Sequence, residues 1–594
     1  MNIRYSKKSI DLQVVFLLMV SLLLVVEPAS AQPQLDPPTP NSPDANPKLY
    51  LPMMMRIGDL YISNIEITQS VQNLSSPVKL VANRPTVVRV YARTSKSTSV
   101  SNLQATLTAY RGSSSLGTLT LNGGTAYPAS TSLDSLRASS SKSFNFQLPS
   151  NWITAGTLTL VADLDTAKVI PETNENNLYQ QVAAFNSMPV LNVMAVPIEY
   201  YDYSTGRTYP PPSTSWLDEA LYRMYPVHDV NVAVHPAYHF DGNLDNSSDW
   251  GVLLNEISTL KDIEGQPNST VYFGVIPLLD SSGSSWFDGS GVVGYGWVGW
   301  RAAIGVTKAT IRIGSWYYNI PGDDYAAHEV GHNFGRLHAP CGVTGESSYP
   351  YSGGIIGQYG FQVSQLPTQI VVDKNWTDIM SYCDNQWVSD YTYTGLYNNQ
   401  VYVGNQTTQP ETESLYLRVN FNPDGQASLA PVYQLPASPS YLPTNSEYVF
   451  QLLDSQGKPV AEYPMDLLTA EEEGFTTHSI RAWLPKPQTP FSQIRLLKSG
   501  QTLAIHNLDN DANSLLDRSP TLEKINDNLV LIWPSSGRPT LARYSTDGGK
   551  TWVVLGVDIS DNMLKVPLSD LPSGALKFQI ALADGGSWDL DYVP

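Results

Sequence analysis

Cysteine is nearly absent from this chain, with two residues, Cys341 and Cys383, in 594. That scarcity excludes a disulfide-stapled miniature scaffold and a four-cysteine zinc site. Histidine is also sparse, at 8 residues, so any cluster of it is informative. Basic residues are outnumbered, with Lys+Arg 35 against Asp+Glu 54, and the formal net charge is −19. Such a balance argues against nucleic acid as a partner, because phosphate contacts need basic patches. Beyond residue 31 no run is long and apolar enough to span a bilayer. There is no G-x-S-x-G elbow, and Gly549-Lys550-Thr551 lacks the earlier glycine of a phosphate loop because position 544 is Tyr. What the chain does have is Gly (41), Pro (43) and Tyr (34), with 15% charged residues. This is the balance of a β-rich extracellular protein.

The organisation follows from local patterns. Residues 1–31 read as an export signal: Arg4, Lys7 and Lys8 precede an apolar core at 14–26, and Ala29-Ser30-Ala31 fits the small-x-small cleavage rule. No cysteine follows it to accept a lipid. The mature chain is therefore expected to be secreted and extracellular after cleavage near Ala31, with no membrane anchor. Residues 32–55 form a proline-rich linker. Residues 56–186 alternate strand-like runs with turns, as in Thr86-Val87-Val88-Arg89-Val90-Tyr91, and are expected to form an immunoglobulin-like β-sandwich. Residues 187–405 mix strand-like runs (191–200, 231–238, 270–279) with two helical spacings, Leu217/Ala220/Leu221/Met224 and Trp250/Leu254/Ile257. Residues 406–517 and 518–594 return to β-patterning, the first as a β-sandwich and the second as a fibronectin-like one.

One uninterrupted string carries the chemistry: His328-Glu329-Val330-Gly331-His332-Asn333-Phe334-Gly335-Arg336-Leu337-His338. Histidines four apart lie about one helical turn apart on one face, so both imidazoles reach one metal ion. Glu329 sits beside that face and can take a proton from a water at the metal. Gly335 lets the chain leave the helix in a conformation a Cβ would oppose, and His338 returns as third ligand. At this composition a chance match is on the order of a few per million, far below motif noise. Asp323 or Asp324 can cap the helix N-terminus.

Downstream runs Asp378-Ile379-Met380-Ser381-Tyr382-Cys383. The eleven-residue site followed by this methionine resembles the metzincin clan of zinc endopeptidases, in particular secreted bacterial members with accessory β-domains. The resemblance covers residues 190–400 and implies an α+β metzincin-like catalytic domain flanked by all-β immunoglobulin- and fibronectin-like sandwiches. It implies one catalytic Zn2+ on His328, His332 and His338, Glu329 as general base, and Met380 as the Met-turn floor beneath the site. Tyr382 inherits the role of a tyrosine that ligates zinc or steadies the transition state. In this clan a sheet edge pairs with extended substrate, and residues 291–300 are expected near that cleft, with a core hairpin as the alternative. The cysteine-switch form of latency is excluded, since no cysteine precedes the catalytic region. Because the segments carrying Cys341 and Cys383 must converge on the zinc, a disulfide between them is expected, with two buried thiols as the alternative.

The resulting expectation is a secreted zinc endopeptidase acting on protein or glycoprotein substrates. The alternative is an adhesin or glycan-binding exoprotein with a secondary or inactive protease core. Its support is the large β-rich remainder and Ser545-Thr546-Asp547-Gly548-Gly549-Lys550-Thr551-Trp552, a match to the Asp-box hairpin turn of sialidases. A single copy in so short a domain does not make a propeller. Asp509, Asp511, Asn513 and Asp517 are spaced like the first ligands of a Ca2+ loop. Ser514 replaces its central Gly and Pro520 its closing Glu, so a plain polar turn is the competing reading. His228, His235 and His239 precede the zinc helix and are read as structural, with substrate contact as the alternative, and His478 and His506 lie outside the catalytic region.

Overall fold

The computed structural model describes residues 58–593 apart from 290, 364–369, 405–409, 423, 441, 473–474 and 509–517. The export signal, the whole proline-rich linker and the candidate Ca2+ ligands at 509–517 fall outside the described residues.

Period-two alternation builds the first sheet. In strand Gly156–Leu164, Leu158, Leu160, Ala162 and Leu164 are buried while their neighbours face out. Eight strands between Leu60 and Asn186 join in this sheet, around a core that includes Ile65, Val88, Val90, Leu107 and Phe146. Its charged interior is compensated: Glu66 pairs with Arg137 at 2.9 Å and Arg89 at 3.5 Å. Buried Arg84 fastens this sheet to the middle of the chain, donating to the carbonyls of Val227 at 2.6 Å and Tyr222 at 2.7 Å.

The middle of the chain is organised on strand Leu191–Asp202. Val230–Val234, Tyr238–Gly242 and Val271–Ile276 run parallel to it. Ala302–Val306 continues the parallel order, and Gly294–Gly296 closes one edge antiparallel. Val271–Ile276 and Ala302–Val306 are buried at every position, which is why they read as continuous apolar runs. Helix Ser247–Ile263, capped by the Asn246 side chain, packs on the face carrying Tyr272 and Ile276. Helix Gly322–Asn333 packs on the opposite face, against Phe273 and Val275. Its N-cap is Pro321, not Asp323 or Asp324, and no side chain caps it. Gly322 is pressed so closely on residues 306–308 that the helix starts before the aspartates. They lie in its first turn instead, Asp323 3.0 Å from Lys308 and Asp324 on Arg223.

The expected fold class needs correction. Among the described residues the chain is mostly β, 46% strand against 12% helix in 5 helices, and no α+β metzincin-like catalytic domain stands out. Multiple β-sandwiches are compatible with this architecture. Packing supplies the reason. The core around Trp250, Leu254 and Ile257 runs on without a break into Tyr416, Tyr433, Ala470 and Trp483, and then into Leu541, Val554 and Ala581. Local helical periodicity at 217–224 and 250–257 was real, since Leu217–Tyr222 and Ser247–Ile263 are helices. Periodicity within a segment says nothing of whether its core ends there.

Two further pairs of sheets follow. A five-stranded sheet containing Thr412–Phe421, Leu468–Glu472 and Phe475–Pro485 faces a four-stranded one built on Tyr448–Leu453. The last pair, of three and four strands, encloses Leu531, Trp533, Phe578 and Ile580. The Asp-box match forms a turn: Asp547 accepts from the Lys550 and Thr551 amides at 2.9 Å, and from the Thr551 hydroxyl at 2.8 Å. No helix among the described residues is long and apolar enough to cross a membrane.

Candidate metal centre

Helix Gly322–Asn333 ends in a Schellman turn. Gly335 takes φ +73°, its amide donates to the His332 carbonyl at 2.8 Å, and the Arg336 amide donates to the Gly331 carbonyl at 3.0 Å. A side chain at Gly335 would resist that backbone. The turn throws the chain back across the helix face, bringing His338 beside His328 and His332. One possible ligand atom from each lies within 4.8 Å of the others, and all three residues are buried. The His332 Nε2 lies 3.1 Å from His328 Nε2 and 3.2 Å from His338 Nε2.

The opposite ring nitrogens explain this convergence. His328 Nδ1 lies 2.7 Å from the Ile379 carbonyl and His332 Nδ1 2.8 Å from the Arg336 carbonyl. A carbonyl only accepts, so each Nδ1 carries the proton and each Nε2 is left with a lone pair. Burial also favours the neutral rings: it pushes His328 well below its ordinary value, His332 to about 4 and His338 to about 2. Three neutral imidazoles turned to one point can hold a metal ion.

Glu329 is fully buried beside them, and neither of its oxygens has a hydrogen-bond partner among the described residues. Burial, and then the nearby charge of Glu472, raise its pKa well above the ordinary carboxyl range. A lone carboxylate in such a place is costly unless it has a task or a ligand. The edge strand Gly294–Gly296 lies directly on it. A Cβ at Gly294 would fall 2.5 Å from Glu329 Oε1, and one at Gly296 would fall 2.7 Å from the Glu329 carbonyl. Residues 291–300 thus do adjoin the site.

Below the triad, Met380 Sδ would be 2.4 Å from a Cβ on Gly331, so the methionine packs as an apolar floor against the helix backbone. Its segment runs beside the returning chain. The Ala339 amide donates to the Met380 carbonyl at 2.8 Å, and the Tyr382 amide to the Cys341 carbonyl at 2.9 Å. The Cys341–Cys383 disulfide closes this ladder, with a Cα–Cα distance of 5.7 Å across 42 residues of sequence. Replacing both cysteines by serine should lower the unfolding free energy by about 3–4 kcal/mol in the chain-entropy account, read from denaturant titration. Unchanged stability would mean the loop is already closed by its other contacts.

The Tyr382 hydroxyl lies 3.3 Å from His338 Nε2. That hydroxyl also donates to Glu472 Oε2 at 2.6 Å. Glu472 comes from the five-stranded sheet, 90 residues further on, and no spacing in the sequence pointed to it. Three more supports were missed. Asn333 Nδ2 donates to the Trp297 and Ala302 carbonyls at 3.0 and 2.8 Å, pinning the helix to the connection between Gly294–Gly296 and Ala302–Val306. Arg301 stacks on Phe334, 3.8 Å from the ring centre. Asp378 Oδ1 accepts the Met380 amide at 2.8 Å and so shapes the methionine turn. Asn333 and Phe334 lie inside the eleven-residue string and Asp378 heads the methionine-turn string, whereas Arg301 carried no signal.

Four of the five remaining histidines are engaged elsewhere, His228 being the fifth. His235 Nε2 is 2.8 Å from Glu264, His239 bonds Glu199 and Asp241, His478 meets Thr469 at 3.1 Å and His506 meets Asp584 at 2.7 Å.

No protein-family model matches the chain. No curated protein matches it either. Among solved structures, a CARDB domain from Pyrococcus furiosus in complex with di-metal ions is similar over 22% of this chain and 94% of its own. The identity is 16% and the TM-score 0.15. A β-glucuronidase of Parabacteroides merdae is similar over 89% of this chain and 78% of its own, at 8% identity and a TM-score of 0.15. Likenesses this low carry no argument about fold or chemistry, and neither points to a metzincin.

Proposed function

We propose that the chain is a secreted zinc-dependent endopeptidase hydrolysing peptide bonds in extracellular proteins or glycoproteins. Its site residues follow the metzincin motif within a β-rich framework. One observation carries the reading: three buried imidazole nitrogens converge beside a buried carboxylate that bonds to nothing else described. Zn2+ suits this donor set, and when bound it supplies a Lewis acid and a water whose pKa falls to about 7. Nδ1 protons held by the Ile379 and Arg336 carbonyls keep His328 and His332 oriented as ligands. Glu329 takes the proton of the attacking water and returns it to the leaving amine. Tyr382 donates its hydroxyl toward the oxygen that gains charge as the carbonyl is attacked, once released from Glu472.

Export fits the basic-then-apolar pattern of residues 1–31 and the Cys341–Cys383 bridge, since such bonds persist in oxidising compartments. The test is metal analysis of the purified chain together with casein cleavage before and after chelation. Near one zinc per chain is expected, with activity lost on chelation and regained with zinc. A zinc-free chain, or cleavage indifferent to chelation, sinks the reading.

A further inference from the structure

A cavity of about 1250 Å³ lies between helix Ser247–Ile263, strand Thr412–Phe421, hairpin Leu468–Glu472/Phe475–Pro485 and strand Val553–Ile559. That exceeds the roughly 300–1,000 Å³ of an ordinary small-molecule site, so it has room for an oligomer. Its walls are chiefly neutral hydrogen-bonding groups. Ser248 comes from the helix, Asn420 and Asn422 from the strand and its turn, and Thr476 and Thr477 from the hairpin, while Asn255 is already bonded to Arg481 and the Gly251 carbonyl. Tyr238, Phe421 and Phe475 supply aromatic surface.

Charge narrows the ligand. Arg418 is committed to Asp558, with contacts of 2.8 and 2.9 Å, leaving Glu256 and Glu472 as the other carboxylates of the lining. Phosphate, sulfate and acidic peptides are therefore disfavoured. Amides, hydroxyls and carboxylates exchange hydrogen bonds with neutral hydroxyls, and aromatic faces pack on the C–H faces of sugar rings. The cavity shares two residues with the surroundings of the metal centre. Glu472 lines it and accepts the Tyr382 hydroxyl, while Phe475 packs on Tyr295 of the edge strand with ring centres 4.7 Å apart.

We propose that this cleft binds neutral carbohydrate, and that it holds the glycan of a glycoprotein whose peptide lies at the metal centre. The second half rests on the peptidase reading; the first does not. Binding of lacto-N-tetraose and mannotriose to the full mature chain is measured by saturation-transfer NMR and calorimetry with EDTA present, so no hydrolysis enters the readout. Val252 is 48% exposed on the helix wall of the cleft, and Val252→Trp fills the space. Asn420→Ala removes one amide from the opposite wall.

At least one sugar is expected to bind, with affinity falling about tenfold or more in Val252→Trp and measurably in Asn420→Ala. The ratio of cleavage of a glycosylated peptide to its bare counterpart should fall by a similar factor in Val252→Trp. No binding of either sugar, or binding untouched by both variants, overturns the proposal. So does a lysine-rich peptide that occupies the cleft and is not displaced by sugar. Sugar binding without any peptide cleavage upholds the cleft while overturning the peptidase.

Discussion

Glu329→Gln is expected to lower kcat/KM on an unfolded protein substrate by about 10²–10⁴-fold, the range for losing a general base. Metal content should stay near one ion per chain. The substitution preserves shape where shape matters: the side chain is enclosed by Gly294 and Gly296, and a shorter residue would leave a void there. An amide cannot accept the proton of the attacking water, so the chemistry is removed and the packing is kept. The repulsion between Glu329 and Glu472 also disappears, so the thermal midpoint should hold or rise. Steady-state kinetics, metal analysis and a melting curve on the same preparation read all three. A glutamine variant as active as the parent would leave the carboxylate without a role.

The other large effect is expected from His332→Ala. His332 is the middle member of the triad, its Nε2 about equally close to both others. Losing it leaves two donors, and affinity for zinc should fall by more than the roughly 100-fold seen when only an outer partner of a ligand is lost. Competition against a chromophoric chelator measures this. The fold should survive, because the site is held by bonds that do not involve the ion. They are the Schellman turn at Gly335, the Asn333 amide on two carbonyls, and the disulfide-closed ladder between residues 339–341 and 380–382. Circular dichroism of the variant, and of the parent after chelation, should match that of the parent with metal. Wholesale unfolding on chelation would place this site with metal-nucleated domains.

The metal-centre residues were legible because they are coupled through short spacing. Helical pitch fixes His328 to His332, and a positive-φ glycine fixes His338 to both, so eleven residues specify a geometry. The cysteine pair was legible from its offsets to that geometry. Glu472 was not, because its place depends on how the Leu468–Glu472 strand packs across the edge strand, a contact with no local signature. The class of fold was misjudged for a related reason. Trp250, Leu254 and Ile257 announce a helix with one buried face, and that face meets the sheet carrying Tyr272 and Ile276, but the helix is also covered by Tyr416 and Trp483, which bond Asp262 from more than 150 residues away. The helix cap failed on a steric detail, the close approach of Gly322 to residues 306–308.

The unbroken core has a practical corollary for dissecting the molecule. Trimming the chain after residue 404 to obtain a minimal hydrolase would strip the cover from Trp250, Tyr272 and Trp297 and remove Glu472 from Tyr382. Such a fragment would present a large greasy face to water and clump rather than work. The late sheets thus share one packed body with the metal centre.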